Sequence, residues 1–127
     1  MNTPIEDYIN YRIKRADESF EEARLLAKNE SWNATINRLY YSCFYAATAI
    51  LIKNGIESKT HAGTRTQFFQ SFIKTELVNK EYSKLYSDLF DWRLEGDYGD
   101  FSYFDKETVL PLFNEVDSFI AKIKELL

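Results

Sequence analysis

His61 is the only histidine of the chain. It lies in a stretch, residues 58–75, that contains Lys59, Arg65 and Lys74 and no acidic residue. Imidazole is the side chain that exchanges a proton near neutral pH. Ammonium and guanidinium groups bind phosphate. The stretch also opens at an expected helix start, where free backbone N–H groups favour anions. A phosphate ligand suits that pattern, and so does an ordinary solvated helix face. A second group follows in residues 88–107, where seven acids stand against two bases, a local charge of −5. Its centre reads DWRLEGDYGDF. Arg93 falls one turn after Leu89 and Phe90, so it faces partly inward and needs a carboxylate or an anionic ligand. The two segments are opposite in sign and could pair within one chain or across a dimer. Arg38 poses the same problem. It shares a half-apolar stripe with Ala34, Tyr41 and Tyr45, and needs either an acid, such as an aspartate of the fourth helix, or a snorkelling stem.

Other chemistries are weakly supported. One histidine excludes any two-histidine metal site. Glu95, Asp97, Asp100 and Asp105 could gather a hard cation, but their spacing is not that of an EF-hand loop, and acidic loops are usually just hydrated. No metal is expected. There is no nucleophile elbow, phosphate-binding P-loop or dinucleotide fingerprint, and no cofactor is expected. Cys43 is the single cysteine and sits in an apolar run, so it reads as a small buried hydrophobe in a reducing compartment.

These residues need a scaffold. The chain has 127 residues, of which 45% are hydrophobic and 28% charged, the profile of one globular domain spanning 1–127. Aromatic residues make up 17%, enough that some rings are expected on the surface as a self-association patch. A net charge of −4 opposes broad wrapping of nucleic acid, though not a local basic site. No apolar run reaches the ~18 residues of a membrane span, and the N-terminal stretch lacks the apolar core of a signal peptide. A cytoplasmic protein is expected.

The periodicity predicts five helices and no strand. The first covers residues 5–28, with Pro4 at its start. Its apolar stripe is Ile5, Ile9, Ile13, Ala16, Phe20, Ala23 and Ala27. The second covers residues 31 or 32 to 53, with Ser31 as N-cap and Asn54–Gly55 as stop. It carries no charge from Leu39 to Ile52, which marks a central helix. The third runs from Thr60 to about Leu77, with Phe68, Phe69, Phe72, Ile73 and Leu77 inward. The fourth covers residues 80–95 and stops at Gly96. The fifth follows Asp105 to the C-terminus, with Pro111 either moving its start toward Thr108 or bending its first turn. Short connections make the fold class all-α: an antiparallel up-and-down helical bundle of four long helices plus one shorter helix.

Three blocks in this order, NRLYYSCFYAATAIL, KTHAGTRTQF and RLEGDYGDF, resemble the HEPN superfamily (higher eukaryotes and prokaryotes nucleotide-binding), in its small stand-alone prokaryotic branch. The resemblance covers nearly the whole chain. It implies a helical homodimer. Many members are metal-independent RNA-cutting toxins, and many work with a small nucleotidyltransferase as antitoxin. Others only bind or scaffold. The nuclease members carry an arginine followed four to six residues later by a histidine. Here Arg93 matches the arginine, but Leu94 follows it, and Tyr98, Gly99 and Asp100 occupy the histidine positions.

That departure leads to a specific expectation: a nucleotide- or RNA-associated binding module with weak or no nuclease activity. Arg93, Asp97 and Tyr98, with Arg65 and Lys59, are the expected ligand-binding residues. The alternatives are a divergent endoribonuclease using Arg93 with His61 or Tyr98 as catalytic residues, and a purely structural dimerisation module. His61 can stand in for the missing histidine only if folding brings it beside Arg93. Tyr98 is a poor proton shuttle, because a phenol ordinarily titrates near pH 10. As resemblance, Tyr98 could instead accept a nucleotidyl group from the partner enzyme.

Overall fold

The computed structural model describes residues 1–98 and 104–127, and the side chains of all of these except 95–98. The described residues form five α-helices and no strand: α1 (Pro4–Lys28), α2 (Trp32–Lys53), α3 (His61–Phe68), α4 (Glu81–Tyr98) and α5 (Lys106–Leu126). A π-helical turn, Phe69–Ile73, extends α3.

α2 is the hub, packed against α1, α3, α4 and α5. The reason is its composition. Ile36, Leu39, Tyr40, Cys43, Ala46, Ala47, Ile50 and Leu51 are all buried and form one broad face, and buried Thr35, Ser42, Thr48 and Ala49 carry the covered surface further around the helix. The small Ala46 and Ala47 let neighbouring helices come close. α5 contributes Val109, Leu112, Val116, Phe119, Ile120 and Ile123, a regular stripe at helical spacing. α4 adds Leu85, Tyr86 and Leu89. α1 buries Ala16, Phe20 and Ala23, but its first turns are uncovered, so Ile5, Tyr8 and Tyr11 are exposed. Of the predicted stripe only Ile5 faces outward; Ile9 and Ile13 are half-buried.

The helix ends follow local chemistry. Thr3 and Glu6 close a reciprocal capping box ahead of Pro4. Asp105 caps α5 by accepting from the Thr108 amide at 2.9 Å, so α5 starts at Lys106, not nearer Thr108. Pro111 is exposed and sits within the helix without shifting its start. Ser31 holds the N-cap position of α2 but makes no side-chain cap bond. Its carbonyl instead accepts from the Thr35 hydroxyl at 2.9 Å. Gly55 turns the chain out of α2 with φ +70°, where a side chain would be strained.

Two expected boundaries are corrected. α4 continues through Gly96 to Tyr98. Glycine only weakens a helix by about 1 kcal/mol relative to alanine, which packing readily overrides. The third helix breaks earlier than expected. At residues 69–74 the ladder widens to an i to i+5 bond, from the Lys74 amide to the Phe69 carbonyl at 2.8 Å. Glu76 then adopts φ +64°, Val78 is buried, and Leu77 points outward with 51% exposure.

Candidate functional site

The site is built on α2. Tyr40 is fully buried, and its hydroxyl lies 2.7 Å from His61 Nδ1 at the start of α3. Phe44, one turn further along α2, stacks on the imidazole with centroids 4.3 Å apart and planes 28° apart. Tyr41 meets the same imidazole edge-on at 5.7 Å. Three aromatics from two successive turns of α2 thus fix one histidine. Thr60 fixes its backbone, capping α3 by accepting from the Gly63 amide at 2.9 Å.

Arg93 approaches from α4. Its guanidinium carbon sits 4.6 Å from the Tyr40 ring centre and 5.8 Å from that of Tyr41. It donates to the Tyr41 hydroxyl at 3.3 Å. Its Nε is buried and makes no hydrogen bond among the described residues. Arg65, one turn into α3, stacks over Phe90 at 4.1 Å. Phe90 also lies 5.9 Å from Arg93 and 6.0 Å from Tyr40. His61, Arg65 and Arg93 are therefore grouped around two shared rings, Tyr40 and Phe90. Among the described residues neither arginine forms an ion pair.

The electrostatics agree with this crowding. Burial lowers the His61 pKa from its ordinary 6.5, and the Arg93 charge lowers it further. Burial pushes the Tyr40 phenol up, and Arg93 only partly opposes this. Tyr86 lies T-shaped to Tyr40 at 6.0 Å and is also pushed up by burial. Among the described residues its hydroxyl makes no hydrogen bond of normal geometry, although the two phenol hydroxyls are close enough to act on each other. Burial raises the thiol of Cys43 as well, so it is not a nucleophile near neutral pH.

Of the residues singled out from the sequence, Lys59 lies apart from the arginines. It joins His61, Arg12, Tyr8 and Phe44 in the wall of a cavity of about 640 Å³ beside α1 and α2. Arg65 and Arg93 do not line that cavity. Asp97 and Tyr98 belong to the last turn of α4, but their side chains lie outside the described residues, as does Asp100. Among the described residues, no three His, Cys, Asp or Glu side chains come close enough to hold a metal ion. No described helix is long and apolar enough to cross a membrane.

Arg38 is corrected. Its acidic neighbour is Glu22 of α1 at 3.8 Å, not an aspartate of α4. The guanidinium also donates to the Asn37 side chain at 2.7 and 3.0 Å and lies over Tyr41 at 4.9 Å. The two oppositely charged segments also do not pair among the described residues; Asp88 takes Lys84 on its own helix at 2.6 Å.

Sequence reasoning missed Tyr40, Phe44 and Phe90 as the frame. A signal existed, since Tyr40 and Phe44 are an i, i+4 pair on the helix that the charge pattern already marked as central.

A family model described as HEPN domain matches residues 9–126. The chain belongs to the HEPN domain family. A Thermotoga maritima protein named UPF0332 protein is 37% identical over 96% of this chain and 92% of its own length. An Archaeoglobus fulgidus protein of the same name is 30% identical over 93% of this chain and 94% of its own. A Methanocaldococcus jannaschii protein named as a candidate toxin is 30% identical over 91% of this chain and 78% of its own. In this HEPN domain, Arg93, the arginine that the sequence resemblance singled out, and His61, the one histidine of the chain, both contact Tyr40.

Proposed function

We propose that this HEPN domain is a nucleotide- or RNA-associated binding module with weak or no nuclease activity. Arg93 and Arg65 hold the phosphate, His61 assists, Asp97 and Tyr98 complete the contacts, and Lys59 offers a ligand contact in the neighbouring cavity. The observation that carries this reading is the pair of arginines without a carboxylate partner among the described residues, in a chain of net charge −4. A cation that has no acid beside it and is half withdrawn from water is poised for an anionic ligand. The aromatic rings around it offer stacking surfaces for a base. The name of the M. jannaschii relative supports a toxin–antitoxin setting. In that setting the four long helices form an antiparallel up-and-down bundle that pairs as a homodimer. It works in the cytoplasm with a nucleotidyltransferase antitoxin.

A second reading has one observation in its favour. His61 and Arg93 both contact Tyr40, close enough for the arginine charge to act on the imidazole. A metal-independent endoribonuclease needs such a pair, one group to move a proton and one to stabilise the charged phosphate.

Two measurements test these readings. Binding of adenosine monophosphate or a short single-stranded RNA should weaken about 10- to 100-fold in Arg93→Ala, as expected for loss of a charged contact. Cleavage of total RNA should stay at background in both wild type and Arg93→Ala. Unchanged affinity in the variant sinks the binding site. Cleavage by wild type that Arg93→Ala abolishes selects the nuclease.

A further inference from the structure

The Tyr40–His61 contact decides which form of the imidazole a ligand meets. Tyr40 is fully buried, and its hydroxyl proton must be placed somewhere. His61 Nδ1, at 2.7 Å, is an acceptor within reach. The imidazole is clamped between Phe44 on its face and Tyr41 on its edge, so it does not readily turn the other nitrogen toward Tyr40. Arg93 on the Tyr40 ring disfavours a second positive charge on His61. Burial keeps the Tyr40 phenol protonated, and so a donor.

We propose that Tyr40 is a positioning residue that holds His61 as the neutral Nε2–H tautomer, so that the imidazole donates a hydrogen bond to a phosphate oxygen and is barred from acting as a general base. With Nδ1 taken by Tyr40, Nε2 is the nitrogen left for a ligand, on a ring that is only half-buried. A proton shuttle needs a free lone pair to take the proton of the attacking hydroxyl. In this tautomer one lone pair accepts from Tyr40 and the other nitrogen already carries a proton. His61 then belongs to binding, not to bond cleavage. The ligand half of this statement rests on the binding reading above; the tautomer half does not.

Because His61 is the only histidine, its ring nitrogens are unambiguous in a long-range ¹H–¹⁵N spectrum. At about pH 8, well above the ordinary imidazole pKa, the ligand-free wild type should show a protonated Nε2 and an unprotonated Nδ1. Tyr40→Phe keeps the ring and removes the donor. It should let Nδ1–H appear, move both nitrogen shifts, and weaken adenosine monophosphate binding about threefold to tenfold. Tyr86→Phe, which changes a neighbour of the Tyr40 hydroxyl and not of the imidazole, should keep the Nε2–H tautomer and move the shifts less than Tyr40→Phe does. A wild-type spectrum with Nδ1–H overturns the proposal, whether or not the variant folds. So does a folded Tyr40→Phe with unmoved shifts, or a Tyr86→Phe that moves them while Tyr40→Phe does not. Failure of adenosine monophosphate to bind wild type would overturn the ligand half alone and, with it, the binding reading, while the ligand-free spectrum still decides the tautomer.

Discussion

At the residue scale, the site is a matter of what surrounds three charged or titratable groups. Arg93 and His61 were legible because their types are rare and their surroundings are not: one histidine, and one arginine in an acidic, aromatic stretch. Their proximity was not legible, since it depends on α3 and α4 meeting across α2, and single-sequence patterns carry no such distance. The depressed pKa of His61 has a consequence for stability. The fold holds this imidazole neutral more strongly than the unfolded chain does. Its contribution is therefore present above the unfolded pKa of about 6.5 and is lost as pH falls through the folded value. Chemical denaturation of wild type and His61→Gln between about pH 8 and pH 5 should show wild type losing more stability on the acid side. Parallel curves would mean that the imidazole titrates alike in both states. Tyr86 makes a complementary case. Its buried hydroxyl has no normal hydrogen bond, so Tyr86→Phe should leave stability unchanged or raise it by up to about 1 kcal/mol. A clear loss in thermal or urea unfolding would show that its approach to the Tyr40 hydroxyl acts as a hydrogen bond.

At the element scale, α3 is short and carries much of the site. It holds His61 in its first turn and Arg65 one turn on, and its hold on that first turn is the Thr60 cap. Thr60 was legible as the start because a threonine precedes the helical pattern. The end was not, because Phe68, Phe69, Phe72 and Ile73 continue the apolar spacing past the point where the ladder changes. Sequence periodicity reads faces, and a π-helical turn alters the face without altering composition. Gly63 was overlooked for a similar reason: its role is spatial. A Cβ there would lie 2.9 Å from the Thr60 hydroxyl oxygen. Gly63→Ala and Thr60→Ala should each cost about 1 kcal/mol through loss of the cap. Amide hydrogen exchange should then speed up in residues 61–65 with little change in α5. Loss of protection throughout the chain would instead show that α3 unfolds only with the whole bundle.

At the scale of the whole molecule, charge sets how a polyanion can bind. The chain is acidic overall, with 20 acidic against 16 basic side chains, a balance that disfavours broad gathering of phosphates. The two arginines of the site, which form no ion pair among the described residues, are a local exception. Each phosphate contact on single-stranded nucleic acid contributes roughly −0.7 to the slope of log affinity against log salt. Two such contacts predict a slope of about −1.4. Fluorescence anisotropy with a short single-stranded RNA, titrated from about 50 to 200 mM salt, measures this directly. Arg65→Ala and Arg93→Ala should each make the slope shallower by about 0.7, and the double variant should be nearly salt-independent. A wild-type slope steeper than about −4 would require many more cations than this site holds. It would move RNA binding to a different surface, or to one assembled by two chains, and leave the Tyr40 and Phe90 cluster without its ligand.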